Sequence, residues 1–187
     1  MKKIFIILLL IISIHSYAQE NIGFCNIEIG MSKYQIEQIL NNNNINYIIN
    51  TNKKGERYYR INSAKHRGYE FDGLNIYIES DNVVKAVFFA SDGGSGDIHS
   101  WGVQETIKKI HRCLENLFIP ISENFIKFHG EPVVIKDNNI NDHLEIELAW
   151  FFPKTEVHLR GEYITNIDGG NFINVSGGCW IEYKMKK

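Results

Sequence analysis

Hydrophobic and polar residues change their spacing along the chain, and these changes predict the order of the secondary-structure elements. Behind an apolar leader, Ile36, Ile39 and Leu40 recur at the i, i+3, i+4 spacing of a helix. Ser32 is a favourable N-cap residue, and Gln35 three positions later completes a capping box. The pattern therefore predicts a helix over residues 33–42 whose first turn is defined by local hydrogen bonds.

Alternating segments predict antiparallel strands. The stretches "YEFDGLNIYIES" (69–80) and "VVKAVFFAS" (83–91) flank a two-residue turn signal, which is typical of a hairpin. The segment "HLEIELAWFF" (143–152) alternates strictly and is expected to pair with residues 155–163. A last strand is predicted over residues 171–186, with a bulge at its two adjacent glycines, Gly177 and Gly178.

The middle of the chain combines a glycine-rich stretch with a second helix. Residues 92–102, "DGGSGDIHSWG", predict a flexible loop, with a calcium site as the alternative because Asp92, Ser95 and Asp97 supply oxygen ligands. Apolar residues at helical spacing predict the longest helix over residues 103–118, and Pro120 is expected to end it.

The resulting order is helix, strands, loop, helix, strands. It predicts an α+β fold made of two helix-plus-antiparallel-meander units, in which a layered sheet carries the helices on one face. The expected boundaries are a first unit over residues 19–97 and a second unit over residues 98–187, or one continuous domain over both.

The first 18 residues have the anatomy of a secretory signal peptide. Lys2 and Lys3 precede a short apolar run over residues 4–14, and Ser16 and Ala18 occupy the −3 and −1 positions of a cleavage site. The run is about half the ~20 residues that a membrane span requires. The sequence therefore predicts an exported protein, periplasmic or extracellular, with no membrane span after cleavage.

Charge argues against a nucleic-acid partner. The formal net charge is −2, and removal of Lys2 and Lys3 with the leader takes away two positive charges and makes it −4. Proteins that bind nucleic acids concentrate Lys and Arg on one face, and no such cluster appears in this sequence.

The chain has three cysteines, so one internal disulfide leaves one thiol over. Cys113 lies beside the apolar stripe of the second helix and is interpreted as a small buried hydrophobic residue. Cys25 and Cys179 are the predicted disulfide, and three reduced thiols are the alternative.

The stretch "IGMSKYQIEQIL" resembles the helix start of the small outer-membrane lipoprotein A (BamE-like) family, through Gly30, Met31, Ser32, Ile36 and Leu40. The β-lactamase inhibitor proteins are similar in plan, with tandem helix-plus-strands units. The sequence differs from the small outer-membrane lipoprotein A family directly after the helix, where it has "NNNN" instead of a Gly-x-Pro turn. The resemblance implies an envelope protein that binds another protein, and it implies no catalytic residues.

Motifs for catalysis and for metals give little support to an enzyme. The sequence has no G-x-S-x-G elbow, no P-loop and no H-E-x-x-H, so no cofactor, metal or catalytic residue is predicted. His143 and His158 are placed where a hairpin can bring them together on a polar side with glutamates, which predicts a solvated charged face or a His–Glu metal site. A Cys–His pair assembled from Cys25 or Cys179 is a further alternative.

Aromatic residues near loop edges are the candidates for partner binding, because aromatic side chains dominate the energetics of protein interfaces. The candidate residues are Tyr58, Tyr59, Trp101 and Phe151. The leading hypothesis is an exported, non-enzymatic binding protein of the bacterial envelope whose partner is another envelope or exported protein. The alternatives are a small exported hydrolase, or a binder of a small ligand in the cleft between the two units.

Overall fold

The computed structural model describes residues 21–140, 143–167 and 171–186. The predicted signal peptide, residues 1–18, lies outside these residues. In chain order the elements are α1 (Lys33–Asn42), β1 (Ile48–Thr51), β2 (Arg57–His66), β3 (Tyr69–Glu79), β4 (Asn82–Asp97), α2 (Trp101–Cys113), a π-helical turn (Leu114–Phe118), α3 (Ile119–His129), β5 (Val133–Ile140), β6 (His143–Phe151), β7 (Thr155–Ile167) and β8 (Phe172–Met185). Within the described part of the chain, no helix is long and apolar enough to span a membrane.

Helix α1 has the predicted bounds, and its start follows from side-chain hydrogen bonds. The Ser32 hydroxyl accepts a bond from the Gln35 amide, and the Gln35 side chain accepts one from the Ser32 amide at 2.9 Å. Ile36 and Leu40 are fully buried and join the main core. The capping-box prediction is therefore confirmed.

The predicted fold class is wrong. The described strands form one eight-stranded antiparallel sheet in the order β1-β2-β3-β4-β8-β7-β6-β5, with 54% of the described residues in strands and 24% in helices. The molecule is thus not a pair of helix-plus-meander units with helices on one face. Strands β4 and β8 pair without interruption from Lys85 with Lys184 to Asp97 with Phe172, which makes the sheet continuous.

The glycine-rich stretch is a strand and not the predicted loop. Residues 92–97 form the end of β4 and pair with the first half of β8. Helix α2 packs closely over this strand. A Cβ atom on Gly94 would lie only 3.2 Å from the hydroxyl oxygen of Thr106 on α2, which shows how near the helix is. The bulge predicted at Gly177 and Gly178 is also absent, since both residues pair in register with β4 and β7.

Pro120 does not end the second helical segment. The π-helical turn follows α2 directly, and Pro120 stands in the first turn of α3, where no intrahelical N–H donor is needed. This segment supplies Phe118, Ile121 and Phe125 to the core. The core also contains Ile36 and Leu40 of α1 and buried residues of six strands, so one hydrophobic cluster joins the first and last parts of the sheet.

Candidate functional site

The strands have two different faces. In β4 the fully buried Phe88 alternates with the half-buried Phe89, and in β8 the half-buried Trp180 lies between the buried Cys179 and Ile181. The side chains that alternate with the buried ones form a second surface, called here the open face. Because successive side chains of a strand point to opposite sides, this face is a continuous surface and a candidate for binding a partner.

Residues on the open face align in rows across the sheet. In one row, the register partners are Tyr58, Tyr77, Lys85, Lys184, Glu156 and Phe151, in that order, on β2, β3, β4, β8, β7 and β6. In a second row, Gly73 is paired with Phe89, Phe89 with Trp180, and Trp180 with Arg160. Residues that are far apart in the sequence therefore form one surface.

Aromatic rings and cations are stacked on the β2–β4 half of the open face. The Arg60 guanidinium lies 4.0 Å from the centre of the Phe89 ring, and the Lys85 ammonium lies 4.0 Å from the centre of the Tyr77 ring. The rings of Tyr58 and Tyr77 are 5.1 Å apart. Together with Trp180 of β8, the register partner of Phe89, these residues form what we call the aromatic patch, whose members are Tyr58, Arg60, Tyr77, Lys85, Phe89 and Trp180.

Gly73 determines how Phe89 lies in the aromatic patch. A Cβ atom at Gly73 would come within 2.5 Å of the Phe89 Cζ atom, so the ring occupies the space that a side chain on β3 would otherwise fill. Arg60 is held beside it by hydrogen bonds from its guanidinium to the side-chain oxygens of Asn62 and Asn75, at 3.3 and 3.4 Å. Phe89 and Arg60 are therefore held in place by neighbouring residues outside the patch as well as by their contact with each other.

The two cations of the patch make no salt bridge with a described carboxylate within 4.0 Å. The hydrogen bond from Asn52 and then the Lys85 charge lower the pKa of the exposed Glu56 carboxyl, so Lys85 has a carboxylate at longer range and no close ion pair.

On the other half of the open face, Glu145, Glu156 and Glu162 have lysine or arginine partners. Glu145 accepts hydrogen bonds from Arg160 at 2.6 Å and from Lys136 at 2.8 Å, and the Lys136 bond lowers the pKa of the Glu145 carboxyl.

The remaining ion pairs confirm the charged face that the alternation of β6 and β7 predicts. Glu147 lies 2.8 Å from His158 Nδ1, and Lys184 donates to Glu156 at 2.9 Å, which lowers the pKa of the Glu156 carboxyl. His143 is not opposite His158, whose register partner is Ala149. Across residues 21–140, 143–167 and 171–186, no group of three His, Cys, Asp or Glu side chains is placed to hold a metal ion.

The four predicted partner-binding residues do not converge on one site. Tyr58 belongs to the aromatic patch, and Phe151, 50% exposed, stands at the other end of the same row. Tyr59 is 2% exposed and donates a hydrogen bond to Glu37 at 2.6 Å, so it is a core residue. Trp101 is 79% exposed in the first turn of α2, away from the open face.

Sequence reasoning missed Arg60, Tyr77, Lys85, Phe89 and Trp180. Alternation within β4 and β8 indicates that Phe89 and Trp180 point away from the core, and this signal is local to each strand. What brings the two residues together is the pairing of β4 with β8, which depends on a contact between strands about 90 positions apart.

The cysteines are free thiols, and the predicted disulfide between Cys25 and Cys179 is not present in the structure. The cysteine beside Cys179 is Cys113, whose thiol donates to the Ala90 carbonyl at 3.3 Å. Burial raises the pKa of Cys113 to about 11 and raises the pKa of Cys179 well above its ordinary value. Both are protonated at neutral pH, which disfavours them as nucleophiles.

A groove of about 730 Å³ lies between α2 and strands β3 and β4, and it includes Cys113. Two of its charged side chains, Lys109 and Asp92, form an ion pair at 3.3 Å. Because burial keeps the Cys113 thiol protonated, the groove gives the hydrolase alternative no activated cysteine nucleophile.

No family model, no curated protein and no solved structure matches this chain. The function must therefore be argued from the open face itself.

Proposed function

We propose that this protein is an exported, non-enzymatic binding protein that holds another envelope protein against its open face. The observation that carries the proposal is the aromatic patch, in which Arg60 and Lys85 lie on aromatic rings at 4.0 Å. Tyr, Trp and Arg are the residues most enriched among interface hot spots. They are also pre-ordered here, which reduces the entropy that binding would cost.

The charge of the patch defines the kind of partner. Arg60 and Lys85 form no salt bridge within 4.0 Å with a described carboxylate, and Lys85 acts on Glu56 only at longer range, so an acidic protein surface would supply close ion pairs. The chain as a whole is slightly acidic, at −2, so this positive patch is a local feature. We infer that the partner presents Asp or Glu next to apolar side chains that cover the rings.

The proposal that the protein is exported rests on the first 18 residues. The proposal that it works in the envelope rests on the resemblance of residues 29–40 to the small outer-membrane lipoprotein A family. These two observations support the location in which the partner should be sought. The alternative of a small exported hydrolase built on a Cys–His pair is weaker, because burial raises the pKa of both Cys25 and Cys179 and so disfavours their thiolates.

Site-specific photocrosslinking in the native host tests the proposal. A photoreactive amino acid replaces Tyr77 or Trp180 in the patch, and Tyr34 on α1, which is 69% exposed, is the matched control position. We expect both patch positions to crosslink the same protein, the control position not to crosslink it, and Arg60→Glu to abolish the product. Equal crosslinking from Tyr34, or none from either patch position, would overturn the proposal.

Binding of the crosslinked protein is then measured with purified components. Affinity that falls with added salt, and that Arg60→Glu lowers at least tenfold, supports an acidic partner surface. Affinity that is unchanged by both salt and Arg60→Glu contradicts this part of the proposal.

A further inference from the structure

The end of helix α2 lies directly over the middle of β8, on the side of the sheet opposite the open face. A Cβ atom on Gly177 would come within 2.8 Å of the Ile110 Cγ2 atom, so the helix approaches where the strand has no side chain. Cys113 follows Ile110 by three residues and shares its side of α2. Cys179 follows Gly177 by two residues and shares its side of β8. The two cysteines therefore occupy corresponding positions on facing surfaces.

Hydrogen bonds hold the Cys113 sulfur beside Cys179. The Cys113 thiol donates to the Ala90 carbonyl oxygen at 3.3 Å, and Ala90 is the register partner of Cys179 on β4. This oxygen points toward β8, because a Cβ atom on Gly178 would collide with it. The backbone of Cys179 also forms a hydrogen bond with the Cys113 thiol. The two sulfur atoms thus lie on the same side of one strand pair.

The third cysteine is in a different part of the molecule. Cys25 lines a groove of about 800 Å³ beside Asn62 and Lys65 of β2. Strands β3 and β4 separate β2 from β8 in the sheet. A disulfide requires Cα atoms within about 7 Å of each other. Of the three pairs that the cysteines can form, the structure brings together Cys113 and Cys179.

We propose that Cys113 and Cys179 are a redox pair, which a disulfide donor converts into an intramolecular disulfide that fastens the end of α2 to the central strand β8. The structure contains the reduced form of this pair. The export part of the proposed function supplies an oxidising compartment, where such donors occur. The chemistry of the pair itself does not depend on export, so it is tested on the purified chain.

The reaction is a thiol–disulfide exchange in two steps. Cys113 lines the groove between α2 and strands β3 and β4, so the donor R–S–S–R reaches it first. The Cys113 thiolate attacks one donor sulfur, which forms a mixed disulfide and releases RS⁻. The Cys179 thiolate then attacks the Cys113 sulfur and releases the second RS⁻. The two cysteines lose two protons and two electrons, and the donor becomes two RSH.

Oxidised glutathione is the donor in the test. The chain without its leader is produced in a reducing cytosol, so that it begins with three thiols, and is incubated at mildly alkaline pH, where more of each thiol is ionised. We expect peptide mass spectrometry to find Cys113 linked to Cys179, with two hydrogen atoms lost and Cys25 outside the link. The oxidised chain should have a Tm higher by on the order of 10 °C, because the link restricts the unfolded chain.

Two variants separate the pair from the third thiol. Cys113→Ser keeps a hydroxyl that can donate to the Ala90 carbonyl, so it should fold, and oxidised glutathione should then leave its Tm unchanged. Cys25→Ser is the matched control and should form the link and show the full rise in Tm. Circular dichroism checks that both variants are folded. Refolding of the reduced chain with oxidised glutathione repeats the measurement while Cys179 is still accessible.

Three outcomes overturn the proposal. The first is a folded chain whose Cys113 and Cys179 both remain free after incubation and after refolding with oxidised glutathione. The second is a link between Cys25 and either of the other cysteines, or a link between two chains. The third is a rise in Tm that Cys113→Ser also shows. Photocrosslinking at the aromatic patch does not depend on these results, because the patch lies on the other side of the sheet.

Discussion

The Nε2 atom of His66 lies 3.1 Å from the hydroxyl oxygen of Tyr183, a residue 117 positions later in the chain. His66 stands at the end of β2 and Tyr183 in β8, and the imidazole also stacks on Phe88 with ring centres 5.0 Å apart. The contact joins the beginning and the end of the sheet inside the core. Only 1% of the His66 surface is exposed, so the imidazole is held where a positive charge is poorly solvated.

His66 should make the protein sensitive to acid. Burial and, to a smaller extent, the Arg67 charge together lower the pKa of the His66 imidazole to about 3. The unfolded chain takes up a proton near pH 6.5, so stability from His66 is complete above that pH and is lost as pH falls toward 3. Between pH 6.5 and pH 4.5 the free energy of unfolding should fall by about 2–3 kcal/mol from this residue. Urea denaturation at both pH values measures the loss.

The control separates His66 from the carboxylates that also titrate. His66→Gln should lower stability at neutral pH and remove most of the loss between pH 6.5 and 4.5, whereas His99→Gln, at an exposed position, should change neither quantity. If the free energy of unfolding falls equally between these pH values in the wild type and in His66→Gln, His66 is not the cause of the acid sensitivity.

The start of α1 gives the most direct test of a feature predicted from the sequence. Ser32→Ala removes the hydroxyl that accepts the Gln35 amide hydrogen, and it should reduce the free energy of unfolding by about 1 kcal/mol. Ser32→Asn keeps an N-cap acceptor and should remain within a few tenths of a kcal/mol of the wild type. Thermal or urea denaturation measures both, and equal losses for the two variants would exclude the cap as the cause.

The contrast between α1 and the sheet shows which parts of the fold can be predicted from the sequence. The helix is determined by residues 32–40, which contact one another within a few positions, so local pattern is sufficient. The hairpin of β3 and β4 was predicted for the same reason, and Ser80 and Asp81 adopt the positive φ values of its tight turn.

The pairing of β4 with β8 could not be obtained in this way. In the structure Asp92 pairs with Gly177 and Asp97 with Phe172. The glycines between Asp92 and Asp97 have weak strand propensity, so local preference alone predicts a loop over residues 92–97. Pairing with β8 and packing under α2 override that preference. Because Phe89 and Trp180 become neighbours only through the same pairing, the aromatic patch was as difficult to predict as the sheet order.

Trp180 should be a hot spot for the proposed partner. Trp180→Ala removes a large half-buried ring that lies beside Phe89 in the sheet, and it should weaken binding by about 2 kcal/mol, or roughly 30-fold. Calorimetric titration with the crosslinked partner measures the change. Tyr34→Ala, at an exposed position on α1, is the control and should leave affinity unchanged. A Trp180→Ala variant that folds normally and binds as tightly as the wild type would remove Trp180 from the binding surface.

The three thiols should react with alkylating reagents in a definite order. Cys25 is half-buried, and burial raises its pKa, whereas Cys113 has a pKa of about 11 and Cys179 is fully buried. Alkylation requires both the thiolate and access to it, so Cys25 should react first and Cys179 only when the protein unfolds. Mass spectrometry of peptides after timed labelling at neutral pH measures the order.

The same experiment tests the redox state. In denaturant without reductant, all three cysteines should be labelled, because the structure contains three free thiols. If Cys25 and Cys179 are both protected until a reductant is added, the disulfide expected from the sequence exists and these two ends of the chain must approach each other. Protection of Cys113 and Cys179 instead would show that the two thiols adjacent in the core had been oxidised, with Cys25 as the remaining free cysteine.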